Sequence, residues 1–221
     1  MKSIKVIVTG ATGMVGEGVA HECLLREEVS EVLILTRRPS GMDHPKVKEI
    51  IIPDFFDLSA VTDQLKGYDA CYFCLGVSSI GMKEEQFRHL TYNLTMNLAT
   101  LLVKQNPSMT FCYVSGAKTD STERGRQMWA RVKGKTENDL LKLGFKRCFA
   151  FRPGYMQPTP GLKNTLAAYK YISWLYQPMR MLFPNSACSL REVGQAMINV
   201  TLKGFPKKVL EVLDIAEAAR Q

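Results

Sequence analysis

Three glycines, Gly10, Gly13 and Gly16, have the types and spacing to bring a backbone close to a phosphate. They are spaced G-x-x-G-x-x-G and follow the apolar run Val6-Ile7-Val8, which is too short for a helix and reads as a buried strand. After them Val15, Val19 and Ala20 recur at helical spacing. Strand, glycine turn and helix in that order make a dinucleotide-binding opening. Gly10 lets the chain leave the strand in a tight turn, Gly13 lets the backbone approach a pyrophosphate, and Gly16 lets the helix pack close to the strand. The phosphates would lie against free N–H groups at the positive end of the helix, so Thr12, Met14 and Val15 join the glycines as candidate cofactor-binding residues.

In an open α/β sheet the ligand lies beyond the carboxyl ends of the strands. After the second strand comes Thr36-Arg37-Arg38, with no Asp or Glu beside it to hold a ribose hydroxyl. Two guanidinium groups suit a phosphate, which favours NADP (NADPH) over NAD. Asp54-Phe55 after the third strand would flank the adenine. Leu75-Gly76-Val77 after the fourth would line the nicotinamide ribose. Pro153-Gly154, after the sixth, completes the cofactor-binding set.

The elements that must position these residues alternate along the chain. Strands are expected at Val6–Val8, Val32–Leu35, Val47–Ile52, Ala70–Leu75, Thr110–Val114 and Cys148–Phe151. Helices are expected at about 14–27, 58–65, 83–105 and 123–143. This succession predicts an α/β fold, a Rossmann-type doubly wound parallel sheet with helices on both faces. One domain is expected over 1–221, with a dinucleotide-binding core over 1–154 and a small C-terminal substrate lid over 155–221. The lid stretch Tyr155–Pro184 carries Tyr169, Tyr171, Trp174 and Tyr176 among Lys163, Lys170 and Arg180. Most of these aromatics are expected to pack into the core, and a membrane-surface helix is a weaker reading. Ser189–Thr201 reads as an amphipathic helix with Val193, Ala196, Met197 and Val200 on one face.

These pieces resemble the short-chain dehydrogenase/reductase superfamily, in its atypical or extended, nucleoside-diphosphate-sugar epimerase-like branch. The similarity rests on TGATGMVG at 9–16, CLG at 74–76, NLTMNL at 93–98, YVSGA at 113–117, WARVKG at 129–134 and RPG at 152–154. It covers about residues 4–155 well and the remainder loosely. In that family a Ser polarises the carbonyl, a Tyr exchanges the proton, and a Lys four residues after the Tyr holds the ribose and lowers the Tyr pKa. The resemblance places Ser115 at the Ser and Lys133 at the Lys. The Tyr position is Trp129, whose indole N–H donates a hydrogen bond but gives up no proton at biological pH. Tyr155 and Lys133 are the alternative proton donors. His89 and Tyr113 read as structural.

The totals bound the rest. The chain has 221 residues and a net charge of +8, with nine basic against four acidic residues between Lys118 and Arg147. That excess suits a phosphorylated cofactor or an acidic small-molecule substrate, and the segment lacks the aromatics of a nucleic-acid binder. Cys71 and Cys74 fall in a strand and point to opposite faces, so neither a metal nor a redox role is expected. No apolar run reaches 18 residues, so no transmembrane segment is expected. The absence of an export signal and of a disulfide framework implies a cytoplasmic protein. Relatives often pair through helices like those at 83–105 and 123–143, so a homodimer is a further expectation. The functional expectation is an NADP-dependent oxidoreductase acting on a small carbonyl. Its rival is a cofactor-binding protein without catalysis, which Trp129 motivates.

Overall fold

The computed structural model describes residues 3–165, 174 and 176–221. Apolar runs rich in β-branched or aromatic residues form strands β1 (Ile4–Thr9), β2 (Val29–Thr36), β3 (Val47–Ile51), β4 (Ala70–Phe73), β5 (Thr110–Val114) and β6 (Arg147–Arg152). Three-residue strands follow at β7 (Tyr155–Gln157), β8 (Ala187–Ser189) and β9 (Val209–Glu211). All main-sheet pairings are parallel, in the order β3-β2-β1-β4-β5-β6-β9. The order reverses between β1 and β4, and this switch point opens a crevice at the carboxyl ends of the strands. β7 and β8 pair separately.

The helices are α1 (Met14–Leu25), α2 (Glu84–Arg88), α3 (Leu94–Gln105), α4 (Met128–Leu140), α5 (Tyr176–Leu182), α6 (Leu190–Leu202) and α7 (Val212–Ala219). They cover both faces of the sheet. Val6 and Val8 of β1 join a core with Val19, Val193 and Ile215, while Ile7 joins one with Leu98, Leu102 and Leu140. The near-continuous apolar strands thus follow from burial on two sides. The two C-x-x-C cysteines divide accordingly, Cys71 to one core and Cys74 to the other, and all six cysteines are free.

The expected helix at 83–105 is interrupted by a π-helical turn at His89–Asn93 between α2 and α3. The expected helix at 123–143 begins only at Met128. Asp120 holds the preceding residues in turns, accepting from Thr122 N at 3.0 Å, Thr122 Oγ1 at 2.6 Å and Gly125 N at 2.6 Å. The 58–65 helix is a 3₁₀ turn at Ser59–Leu65. In the C-terminal part, α6 takes the amphipathic place expected for it. Ser189 and Glu192 close a capping box at its start, and Val193, Ala196, Met197 and Val200 are buried. Tyr176 is buried and Trp174 exposed; Tyr169, Lys170 and Tyr171 lie outside the described residues. Arg180 donates to Glu192 at 2.5 and 2.9 Å and to the Tyr176 hydroxyl at 2.5 Å. Among the described residues no helix is long and apolar enough to cross a membrane.

Candidate functional site

The glycine turn between β1 and α1 shows why glycine stands at each place. Gly10 has φ +73°, and a Cβ there would lie 2.8 Å from the Cys74 carbonyl oxygen. A Cβ on Gly16 would lie 2.2 Å from the Gly10 oxygen, so α1 packs directly on the turn. Gly13 differs: its φ is −116°, and an added Cβ would meet nothing nearer than 3.4 Å. The fold leaves that position open toward the crevice, which suits a ligand's close approach.

The first helical bond of α1 runs from Glu17 N to Gly13 O, and no side chain caps the helix. The amides of Met14, Val15 and Gly16 therefore keep their donors at the positive end of a 12-residue helix. An uncapped helix end with an open glycine fits a dinucleotide's pyrophosphate. Buried Glu17, in the first turn of α1, accepts from Lys163 N at 2.9 Å and Asn164 N at 2.7 Å. It ties the root of the C-terminal segment to the same helix.

At the end of β2, Arg37 and Arg38 are exposed, and neither guanidinium has an ion-pair partner among the described residues. Thr36 is buried and its hydroxyl donates to the Arg38 carbonyl at 2.7 Å, which shapes the turn that presents them. Asp54 is exposed and accepts from Phe56 N at 2.8 Å. Phe55 corrects the expectation: it is 2 % exposed, packed in the core with Ile52 and Leu58, and cannot flank an adenine. The neighbouring Phe56 is half-exposed and stacks on His89 at 4.3 Å. Gly76 and Val77 are exposed just past β4, and Leu75 packs partly on the core.

Ser115 also departs from expectation. It follows directly on β5, is 6 % exposed, and its hydroxyl is directed to Glu137 and to the Phe151 carbonyl at 3.1 Å. A hydroxyl has one proton, and here it serves a buried network rather than a substrate carbonyl. Glu137, 1 % exposed on α4, accepts from Arg152 Nε at 3.0 and 3.2 Å and from Nη2 at 2.5 Å. Arg152 also donates to Ser121 Oγ at 2.5 Å and Glu211 at 3.2 Å.

Lys133 reaches this network from above. Its Nζ donates to the Ser115 carbonyl at 2.5 Å, not to the hydroxyl. Burial holds its pKa down to about 8, against the opposing pull of the Glu137 charge. Trp129 is half-buried one turn earlier on the same face of α4. The structure thus joins Lys133, Ser115, Glu137 and Arg152. Tyr155 lies in β7, donates its hydroxyl to Gln157 Oε1 at 3.1 Å and pairs its ring with Tyr176 at 6.3 Å. A Cβ on Gly154 would lie 2.2 Å from the Ser186 oxygen, so that glycine serves the close approach of β7 to residue 186; Pro153 is buried. Tyr113 is buried, which raises its pKa, in keeping with a structural role.

Sequence reasoning passed over Glu137, Arg152 and Glu17. A signal existed for Glu137: it lies four residues after Lys133, on the inward face of a helix whose other buried positions are Ala130, Val132, Gly134, Thr136 and Leu140.

A glycine turn on an uncapped helix at the switch point of a parallel sheet defines a dinucleotide-binding protein. Residues 6–124 match the NAD dependent epimerase/dehydratase family, and the chain belongs to it. It is 24% identical over 225 residues to "Protein FMP52-1, mitochondrial" of Scheffersomyces stipitis, covering 97% of this chain and 96% of that one. It is 24% identical over 158 residues to "Protein HTATIP2" of Rattus norvegicus, covering 71% of this chain and 64% of that one. A further FMP52 protein, from Meyerozyma guilliermondii, is matched over 65% of its length, so the alignment spans just under two thirds of some of these relatives. Among solved structures, the Bordetella bronchiseptica enzyme WbmF in complex with NAD+ superposes with a TM-score of 0.67 at 15% identity, over 99% of this chain and 78% of that one. The expectation of a cytoplasmic protein is corrected by these comparisons, because the FMP52 relatives are named as mitochondrial proteins.

Proposed function

We propose that the protein binds NADP(H) in the switch-point crevice and reduces a small carbonyl compound, with Lys133 as the proton donor. The observation that carries the cofactor choice is the exposed pair Arg37 and Arg38 at the end of β2, without ion-pair partners among the described residues, where a carboxylate would favour NAD. A bound reduced nicotinamide supplies a hydride equivalent. The chain supplies the rest. Glycine 13 and the amides of α1 hold the pyrophosphate, and the two arginines take the 2′-phosphate in charge-assisted hydrogen bonds. Lys133 spends one N–H on the Ser115 carbonyl and keeps two. With a pKa near 8 it is mostly an ammonium at neutral pH and close enough to that pH to give up a proton. The proton passes from Nζ to the carbonyl oxygen as that oxygen becomes a hydroxyl. Trp129 contributes an apolar wall and one N–H donor where the family's Tyr stands.

Two observations favour a second reading, a cofactor-binding protein without turnover: Trp129 carries no exchangeable acid, and the Ser115 hydroxyl is consumed by Glu137. Both readings rest on the same cofactor, so thermal melting tests their common part. NADPH is expected to raise the melting temperature more than NADH at equal concentration. Replacing Arg37 and Arg38 together by Ala is expected to remove most of the difference. Equal shifts from the two cofactors would overturn the NADP assignment.

A further inference from the structure

The opposite rim of the sheet, away from the crevice, carries a second concave site. It lies where β6 begins and where the chain crosses from α6 to β9. A hollow of about 390 Å³ there is lined by Lys146, Arg147, Lys203 and Lys208, with Phe145 and Phe205 among its apolar walls. The lining includes no Asp or Glu. Its size falls within the range of small-molecule sites, roughly 300–1,000 Å³.

Arg147 marks this hollow as more than a solvated basic surface. Five arginines among the described residues are at least half-buried: Arg26, Arg131, Arg147, Arg152 and Arg180. Four of them have carboxylate partners, in Glu28, Glu84, Glu137 and Glu192 respectively. Arg147 alone has none, and its one hydrogen bond runs from Nη1 to the Thr201 carbonyl at 3.0 Å. It is nonetheless held in place. Gly204, at φ +83°, lets the guanidinium lie close against the backbone, and a Cβ there would sit 3.3 Å from its central carbon. A partly buried guanidinium without a counter-ion gives up part of its hydration with nothing of opposite charge in return. Here it is fixed, with most of its five donors unspent, on the wall of a pocket that three lysines share.

The charges around the hollow leave the excess in place. Lys203 reaches the Gln221 backbone oxygen. Lys203 also acts weakly on Glu28, a carboxylate that Arg26 already holds at 2.8 and 3.0 Å. Lys207, just outside, is paired with Asp214 at 2.6 Å. Cys148 lines the hollow as a neutral thiol, since burial pushes its pKa up to about 12.

We infer that this hollow binds a soluble organic polyphosphate, its phosphates on Arg147, Lys146, Lys203 and Lys208 and its apolar body against Phe145 and Phe205. Guanidinium and ammonium groups together suit multiply charged phosphate, with the fixed fork of Arg147 setting orientation. The site is separate from the dinucleotide crevice, which lies at the other ends of the strands.

The test uses the full chain saturated with NADPH, so that the crevice is filled, and titrates ADP and inorganic tripolyphosphate by calorimetry. Binding is expected in the parent. It should weaken roughly tenfold to hundredfold in Arg147→Gln and also in Lys208→Gln, since each removes one charge-assisted contact. It should be unchanged in Lys66→Gln, an exposed lysine that does not line the hollow. Lys208 is exposed, so its variant decides the matter if Arg147→Gln folds poorly. The inference is overturned if neither probe binds the parent, or if both rim variants bind as the parent does. It is also overturned if the soluble probes bind only when NADPH is left out, or if only vesicles containing phosphatidylserine bind and the soluble probes do not.

Discussion

Replacing Glu137 by Gln examines the network on which Lys133 rests. The substitution keeps the shape of the side chain and one carbonyl acceptor, but removes the charge facing Arg152. Glu137 is almost wholly enclosed and accepts three hydrogen-bond contacts from that guanidinium, the shortest at 2.5 Å. Breaking a buried pair by removing one partner costs about 3–5 kcal/mol. Arg152 would retain Glu211 at 3.2 Å and Ser121 at 2.5 Å, which places the loss near the lower end. For a chain of this length each kcal/mol moves the melting temperature by about 2–4 °C, so Glu137→Gln should melt about 6–12 °C lower. Pairing it with Arg152→Gln should cost clearly less than the two single losses added, because the second change then removes a guanidinium that has already lost its buried partner. Differential scanning calorimetry at neutral pH reads both quantities. A shift under about 2 °C, or a strictly additive double variant, would refute the view that this pair holds the ends of β5, β6 and α4 together.

The other expectations concern the crevice. Gly13→Val should fold nearly as stably as the parent and lose cofactor binding, whereas Gly16→Ala should melt lower, since its Cβ meets the Gly10 oxygen; unchanged affinity in a folded Gly13→Val protein would make the turn purely structural. The folded protein holds Lys133 near 8 while the unfolded chain keeps the ordinary 10.5, so the folded state binds fewer protons between those values. Its contribution to stability should therefore rise with pH across that window and be flat below about 8, a trend that should vanish in Lys133→Gln when the two are melted side by side. Trp129→Tyr restores the family's acid one turn before Lys133 at little cost in volume, and should raise reduction of an activated diketone by roughly 10²–10⁴-fold. No gain there would mean that residue 129 does not face the substrate.

The sheet was legible because its strands are apolar on both faces and end in turn residues, and because the glycine turn needs a strand before it and a helix after it. What the residues hid is local. β7, β8 and β9 are three residues each, too short to show a period. The π-turn at His89–Asn93 leaves the apolar spacing of the long helix nearly intact, so the break makes no pattern of its own. Asp120 delayed α4 through side-chain hydrogen bonds that compete with the helix, an effect that depends on which rotamer it takes. At the site, Lys133 lies against the Ser115 carbonyl and the two arginines are exposed at the end of β2. Phe55 and Phe56 are adjacent, and only the path of the chain after β3 decides that the first turns inward. Ser115 was misjudged for a similar reason: its hydroxyl chooses between the crevice and Glu137, and Glu137 comes from another element.

Cofactor oxidation followed at 340 nm is the most direct test of the central claim, that Lys133 supplies the proton for an NADPH-dependent reduction. The parent, loaded with NADPH and offered small diketones and aldehydes, is expected to consume cofactor at a rate that falls as pH rises through about 8. Lys133→Gln, checked for NADPH binding by its melting shift, is expected to lose roughly 10²-fold or more of that rate. If the parent binds NADPH but oxidises it with none of the carbonyls offered, or if Lys133→Gln turns over as the parent does, the account of the site is contradicted. The first outcome would leave a cofactor-binding protein without this catalysis, and the second a different acid.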